Sequence, residues 1–305
     1  MEFGIFLTMP SPDARPSHEI YRLGVDLVVR AEELGFRRAW LAEHHFTTYS
    51  YISRPLLFLA HLAARTSCIR LGTAIVPVPL HQPLLVAEEA AAVDVLSGGR
   101  VDVICQALRG EPFCFQGKHF DIPETLIFPQ PIQRPVPVWV VVNTRRPEMM
   151  EFALSRKMHL LTGVLEPISG LRNVRTEFGA SFPSMSHIGT QRPVFVSRDR
   201  NEIATAIEHV RWNARVSVSQ RYDFGKVDHG RAVAEAIEGE PAADQILRDY
   251  VVFGTPEECV QQLRRLEKGL GCNHFSASFW FGALPPELIR RSMELFAREV
   301  IPAFA

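Results

Sequence analysis

The chain is predicted to be an α/β protein built as a (β/α)₈ barrel, and three observations lead there. Short β-rich runs alternate with longer amphipathic stretches along the whole sequence, the runs number eight, and no boundary divides residues 1–305 into two units. Eight strands separated by helices fit a parallel sheet, and closure at eight gives the barrel. A doubly wound open sheet is the competing architecture. It would carry a glycine-rich phosphate loop after its first strand, and "FLTMPSPDARP" has no glycine.

The elements follow in order. "EFGIFL" is the first strand; "SHEIYRLGVDLVVRAEELGF" then sets Ile20, Leu23, Leu27, Val28, Ala31 and Leu34 at helical spacing, with Ser17 as N-cap and Gly35 after the last turn. "RAWLAEHH" is the second strand and "RPLLFLAHLAARTS" its helix. "IRLGTAIVPV", the helix "LLVAEEAAAVDVLSGG" and the strand "RVDVICQ" continue the alternation. After a less regular Pro-rich segment come the strand "VPVWVVV", the helix "PEMMEFALSRK", the strand "MHLLTG" and the helix "SGLRNVRTEFGAS". "RPVFVS" is the seventh strand, "TPEECVQQLRRLEKGLG" a helix, "HFSASFWF" the eighth strand and "PPELIRRSMELFAREVIPAF" the closing helix. The seventh connection, from Arg198 to about Asp249, is long and polar and reads as an insertion at the site.

Composition bounds the function. The chain is 47% hydrophobic and 22% charged, enough apolar material for a buried core and too little polar excess for disorder. Net charge is −1, from 33 basic and 34 acidic residues without a block of like charges, so neither nucleic acid nor an anionic membrane is expected as a partner. The longest apolar runs are strand-length, and "MEFGIFLTMP" has no basic n-region, which points to the cytoplasm. Five cysteines without a CxxC spacing (Cys68, Cys105, Cys114, Cys259, Cys272) are expected as free thiols.

In a barrel the C-terminal strand ends build the active site, and "AEHH" stands at such an end. Glutamate and two histidines there suggest proton transfer, with loop-holding hydrogen bonds as the alternative. Alternation puts His44 on the face of Trp40 and Ala42, and Glu43 with His45 on the other. Adjacent histidines diverge, which disfavours a metal, and none is expected. Gly72, Thr73 and Ala74, at the exit of the third strand, would let a flat ligand approach the backbone, or simply form a rigid turn. Asn143, Thr144, Arg145 and Arg146, at the end of the fifth strand and before a helix, could hold a phosphate or be a solvated cap.

The segments "FGIFL", "EELGFRRAWLAEHHFT", "LGTAIVPVPLHQPLLVAEEAAAVDVLSGGRVDV", "FQGKHFDI", "PQPIQRPVPVWV", "FGTPEECVQQL" and "SMELFAREVIPAF" together resemble, from end to end, the bacterial-luciferase-like flavin-dependent monooxygenases, in particular the luciferase α subunit. The resemblance implies a (β/α)₈ barrel and reduced FMN, supplied by a separate flavin reductase, that activates dioxygen as a C4a-hydroperoxide to oxidise an aldehyde or another small organic substrate. It makes His44 the proton-transfer residue beside the flavin and His45 its catalytic-site neighbour. It implies that Thr73, Ala74 and Ile75 seat the isoalloxazine ring, with a cis peptide between Ala74 and Ile75, and that Cys105 occupies the reactive-thiol position of the luciferase α subunit, where a buried apolar role is the reading favoured.

The chain departs from the family after its fourth strand. Gln106 stands where an arginine for the FMN phosphate is expected, and the sequence then passes to "ALRGEPF", as though a loop and most of a helix were missing. Arg146, before Pro147 and Glu148, could replace the lost charge. A non-catalytic, luciferase-β-like or flavin-storage subunit is the rival reading, and a deazaflavin-dependent reductase a third. The small and apolar residues of "LLFLAHLAA" and "LLVAEEAAAVDVL" predict a homodimer, or a pair with a related subunit, through the second and third helices.

Overall fold

The structure is a computed structural model that describes residues 1–77, 80–102, 113–116, 121–133, 136–142, 151–153, 155–156, 158–164, 166–167, 188–223 and 227–305. Thirteen strands occur among them: β1 (Glu2–Leu7), β2 (Arg38–Leu41), β3 (Arg70–Thr73), β4 (Val101–Asp102), β5 (Phe113–Gln116), β6 (Asp121–Thr125), β7 (Trp139–Val142), β8 (His159–Thr162), β9 (Ile188–Val196), β10 (Val227–Asp228), β11 (Arg231–Ala232), β12 (Val252–Gly254) and β13 (His274–Ser278). The helices are α1 (Ser17–Glu33), α2 (Pro55–Ala63), α3 (Pro83–Ser97), α4 (Arg200–Asp223), α5 (Ala243–Asp249), α6 (Pro256–Leu270) and α7 (Pro286–Glu299).

The eight expected barrel strands lie in one hydrogen-bonded path, β4-β3-β2-β1-β13-β9-β8-β7, and every pair along it is parallel. The expected α/β barrel is therefore the observed architecture, nearly closed among the described residues. Parallel register fixes which side chains share a face. Trp40 pairs with Phe6 and with Gly72, and this row fills the interior, where Phe6, Trp40, Ala42, Trp139 and Leu161 cluster. The alternate row, Ile5, Leu7, Ala39, Leu41 and Leu71, joins the larger core beneath the helices. Glycine is required at position 72, because a Cβ there would collide with the Trp40 ring.

Several boundaries differ from expectation. β2 ends at Leu41, four residues before His45, because Ala42 gives its N–H to Leu7 and the chain then turns away from the sheet. β3 likewise ends at Thr73. The N-cap of α1 is Pro16, with no side-chain cap bond, and Ser17 is the first helical residue; Gly35 takes a φ of 84° beyond the last turn, as expected. The antiparallel pair β5–β6 occupies part of the Pro-rich segment, and β12 pairs with the far end of β9. β12 lies in "VVFG", which the sequence assigns to no element because it directly precedes the Thr255–Glu258 capping box that starts α6. The long seventh connection contains α4, the β10–β11 pair and α5. Cys68, Cys114, Cys259 and Cys272 are free thiols, and burial pushes Cys272 up to about 12. No helix among the described residues is long and apolar enough to cross a membrane.

Candidate active site

The site is assembled where β2 and β3 hand the chain to their loops, at the C-terminal rim of the barrel. Alternation continues one step past the ladder. Ala42 still packs in the interior with Trp40, whereas Glu43 and His45 meet on the opposite side, His45 Nε2 lying 2.8 Å from Glu43 Oε1. Beyond them Phe46 takes a φ of 60°, a left-handed value few non-glycine residues adopt, and is 92% exposed.

His44 donates its backbone N–H to Ile52 O at 3.0 Å, and its ring stands edge-on to Tyr49, with centroids 4.8 Å apart and planes at 84°. Tyr49 in turn leans on Trp212 of α4 at 6.3 Å. Burial, helped by the neighbouring His45, pushes the His44 imidazole down to about 4, so it is neutral at physiological pH. The seventh connection reaches this loop: Thr48 N–H donates to Gly230 O, and Ala232 N–H to Thr48 Oγ1, both at 3.0 Å. The β10–β11 turn is thus fastened to the segment that follows the histidines.

At the exit of β3, Ala74 packs against the interior cluster and gives its N–H to Leu41 O at 2.8 Å. The peptide between Ala74 and Ile75 is cis. Ile75 is 40% exposed. Thr73 pairs in register with Leu41, itself paired with Leu7, so its side chain belongs to the helix-facing row and only its backbone is available to the mouth. Cys105, Gln106, Asn143, Thr144, Arg145 and Arg146 lie outside the described residues. β2 and β3 are adjacent, so His44 and His45 follow one strand end and Ala74 and Ile75 follow the next.

Three participants went unread in the sequence. His81 approaches Glu43 Oε1 through Nε2 at 2.6 Å, Arg54 meets His81 Nδ1 at 2.8 Å, and Tyr49 covers His44. His81 had one available signal: it follows β3 as "EHH" follows β2, and adjacent parallel strands bring their exits together. Among the described residues no three His, Cys, Asp or Glu side chains are grouped to hold a metal ion.

Ala74 and the exposed Ile75, at the exit of β3, are the described residues that a flat ring at this rim would meet. Comparison with known proteins gives the wider context. The profile of the luciferase-like monooxygenase family matches residues 1–105 and 101–273, two segments that meet at β4. The oxygenase component of a flavin-dependent trigonelline monooxygenase from Acinetobacter baylyi is 25% identical over 361 aligned positions, covering 100% of this chain and 96% of its own. Since this chain has 305 residues, that relative carries segments absent here. Among solved structures, the monooxygenase RslO1 from Streptomyces bottropensis superposes with a TM-score of 0.83 at 23% identity over 100% of both chains. The FMN-bound oxygenating constituent of 3,6-diketocamphane monooxygenase from Pseudomonas putida gives 0.77 at 16% identity, over 99% of this chain and 98% of its own. With matched segments running from β1 to the edge of β13 and the barrel shared throughout, the chain belongs to the luciferase-like monooxygenase family.

Proposed function

We propose that the protein uses reduced FMN, delivered by a separate flavin reductase, and dioxygen to oxidise a small organic substrate, with His44 as the proton-transfer residue. The observation that carries this reading is a neutral, partly buried imidazole held against Tyr49 at the rim of a luciferase-like barrel, one strand away from Ala74. A neutral ring at that place can take a proton and return it. Bound reduced FMN would supply the oxygen chemistry as a C4a-peroxyflavin. The family membership supports a flavin, and the name of the trigonelline relative, an oxygenase component, supports a separate source of electrons.

Anaerobic titration with reduced FMN and with NADPH tests the cofactor. Reduced FMN should bind more tightly, since the sequence has no dinucleotide fingerprint; oxidation of NADPH without added flavin would defeat the reductase-partner idea. Mixing the reduced complex with dioxygen should then produce the transient absorbance of a flavin oxygen adduct. The rival reading, a non-catalytic flavin-binding or partner subunit, is favoured by one observation: the family match is split into two segments that overlap at residues 101–105, immediately before Gln106, where the phosphate arginine is expected. Tight flavin binding with no adduct would select it.

The reading extends to a cytoplasmic homodimer or a pair with a related subunit. α2 and α3, with Glu43, Arg54 and His81, line a cavity of about 630 Å³, and Leu57, Leu85 and Leu96 in its lining are 75%, 55% and 67% exposed. Light scattering should give a dimer, and a monomer at high concentration would refute it.

A further inference from the structure

Three segments converge on one buried carboxylate. Arg54, the N-cap residue of α2, donates from Nη1 to His81 Nδ1 at 2.8 Å; His81 Nε2 lies 2.6 Å from Glu43 Oε1, and His45 Nε2 lies 2.8 Å from the same oxygen. The hydrogen-bond inventory of these groups fixes who donates. A guanidinium has only donors, so His81 Nδ1 must offer its lone pair. The ring's proton is therefore on Nε2 and goes to Glu43, and a second proton on His81 would set Nδ1–H against the arginine. A carboxylate only accepts, so His45 also donates from Nε2. Glu43 thus holds two N–H groups on Oε1, its side chain has no exposed surface, and Oε2 has no hydrogen-bond partner among the described residues.

We infer that Glu43 is a positioning residue of the barrel mouth: braced by Arg54 through His81, it fixes the His45 ring and the turn that presents His44. The inference rests on the reading of His44 as proton-transfer residue. Its physical basis is that residues 43–46 have left the β ladder, so backbone pairing no longer sets their shape. Among the described residues one backbone bond, from His44 N–H to Ile52 O, ties this turn to the protein, and the next residues run into the left-handed Phe46. What holds the turn from the other side is the Glu43 carboxylate, bound to the exit of the neighbouring β3–α3 unit and, through it, to the start of α2. A rotation at Glu43 swings its sequence neighbour His44 off Tyr49. Small errors of that kind matter: a misplacement of about 1 Å costs about 10²-fold in rate.

The array also supplies its own control. In Glu43→Gln the amide oxygen accepts from both histidines, and the NH₂ group takes the place of Oε2, where no bond is lost. Glu43→Leu removes the acceptor at similar size, and Arg54→Leu removes the brace while leaving Glu43 in place. With reduced FMN and dioxygen, Glu43→Leu should change the rate of adduct formation or decay by about 10- to 100-fold, and Arg54→Leu by less, while Glu43→Gln stays within about threefold. The dissociation constant of reduced FMN should stay within about threefold in all three. A general loss of structure would instead weaken flavin binding along with the chemistry. Imidazole nitrogen spectra of the resting protein give a second readout that needs no activity. His81 should be the Nε2–H tautomer in wild type and, with the Glu43 carboxylate still accepting, in Arg54→Leu as well, where its Nδ1 signal should move because the lone pair has lost its donor. The His44 ring signals should move in Glu43→Leu and return in Glu43→Gln.

Wild-type adduct kinetics in Glu43→Leu, or Glu43→Gln as impaired as Glu43→Leu, would overturn the inference. If the wild type forms no adduct, the reading of His44 falls, and the spectra alone decide the array: unmoved His44 signals in Glu43→Leu overturn it, shifted and restored signals support it. Should Glu43→Leu fail to fold, the His81 Nδ1 signal in Arg54→Leu decides the brace, and an unchanged signal there refutes it.

Discussion

At the floor of the barrel, where the strands begin, Asp102 receives Arg70 through both carboxylate oxygens and lies 3.4 Å from Arg38, which also pairs with Glu2. Asp94, just before the turn into β4, takes the backbone N–H groups of Ile132 and Gln133 and the side-chain amide of Gln133. At the mouth, Glu43 loads two donors on one oxygen and, among the described residues, none on the other, and His44 is partly buried and uncharged. Of these three carboxylates, Asp94 and Asp102 distribute bonds over both oxygens and Glu43 does not. Saturated carboxylates cannot shift without losing bonds, so the floor holds register. At the mouth the neutral His44 ring is what the proposed proton exchange requires.

The comparison breaks most visibly at His44. His44→Ala should cost about 10² to 10⁴ in oxygenation while leaving reduced-flavin affinity within about tenfold, because ring and phosphate contacts hold the cofactor and the imidazole acts on the proton. Stopped-flow absorbance after mixing the reduced complex with dioxygen checks this. Equal kinetics in wild type and variant would remove His44 from the mechanism. His45→Ala should reduce turnover less and stability more, since its ring is tied to Glu43.

Floor substitutions should show the reverse pattern. Asp102→Ala strands Arg70 and Arg38 beside the start of the sheet and should cost about 3 kcal/mol in unfolding free energy, read by denaturant titration. Adduct kinetics per folded molecule should be unchanged. If Asp102→Ala altered the chemistry as strongly as the stability, the division between floor and mouth would be wrong. Between the two ends, Gly72→Ala should cost about 1 to 3 kcal/mol, because the new methyl group meets the Trp40 ring in the packed interior.

The same division governs what the sequence made legible. Period and run length announce strands and helices, so all eight barrel strands and the buried face of α1, from Ile20 to Ala31, were readable. The end of β2 was not, since Trp40, Ala42 and His44 continue the alternation after the hydrogen bonds have stopped. β12 was hidden for a different reason: three residues against a strong helix start carry no period. His44 was legible as a polar residue at a strand end. The His81 and Arg54 bracing was not, because Glu43 and His81 are 38 residues apart and Arg54 and His81 are 27 apart, and only the adjacency of β2 and β3 brings them together. Cys105, Gln106 and Asn143 to Arg146, expected from resemblance or from a polar cluster before a helix, lie outside the described residues.

The smallest expected effect concerns acid stability. Burial holds the His44 ring down to about 4 in the folded protein, against an ordinary value near 6.5 in the unfolded chain. Between those values the unfolded chain binds a proton that the folded one refuses, so stability rises with pH across the window. The contribution is fully present above about 6.5 and is lost as pH falls toward 4. Replacing the ring with a group that does not titrate, as in His44→Gln, removes this term. The wild type should therefore lose more stability than His44→Gln on going from pH 7 to pH 5, by denaturant midpoints at fixed salt. The floor offers the control, since Asp102→Asn leaves His44 untouched and should keep the wild-type acid slope over the same interval. Parallel slopes for wild type and His44→Gln would mean that His44 titrates as freely in the folded protein as in water, and the mouth would then lack the neutral, sheltered imidazole that distinguishes it from the floor.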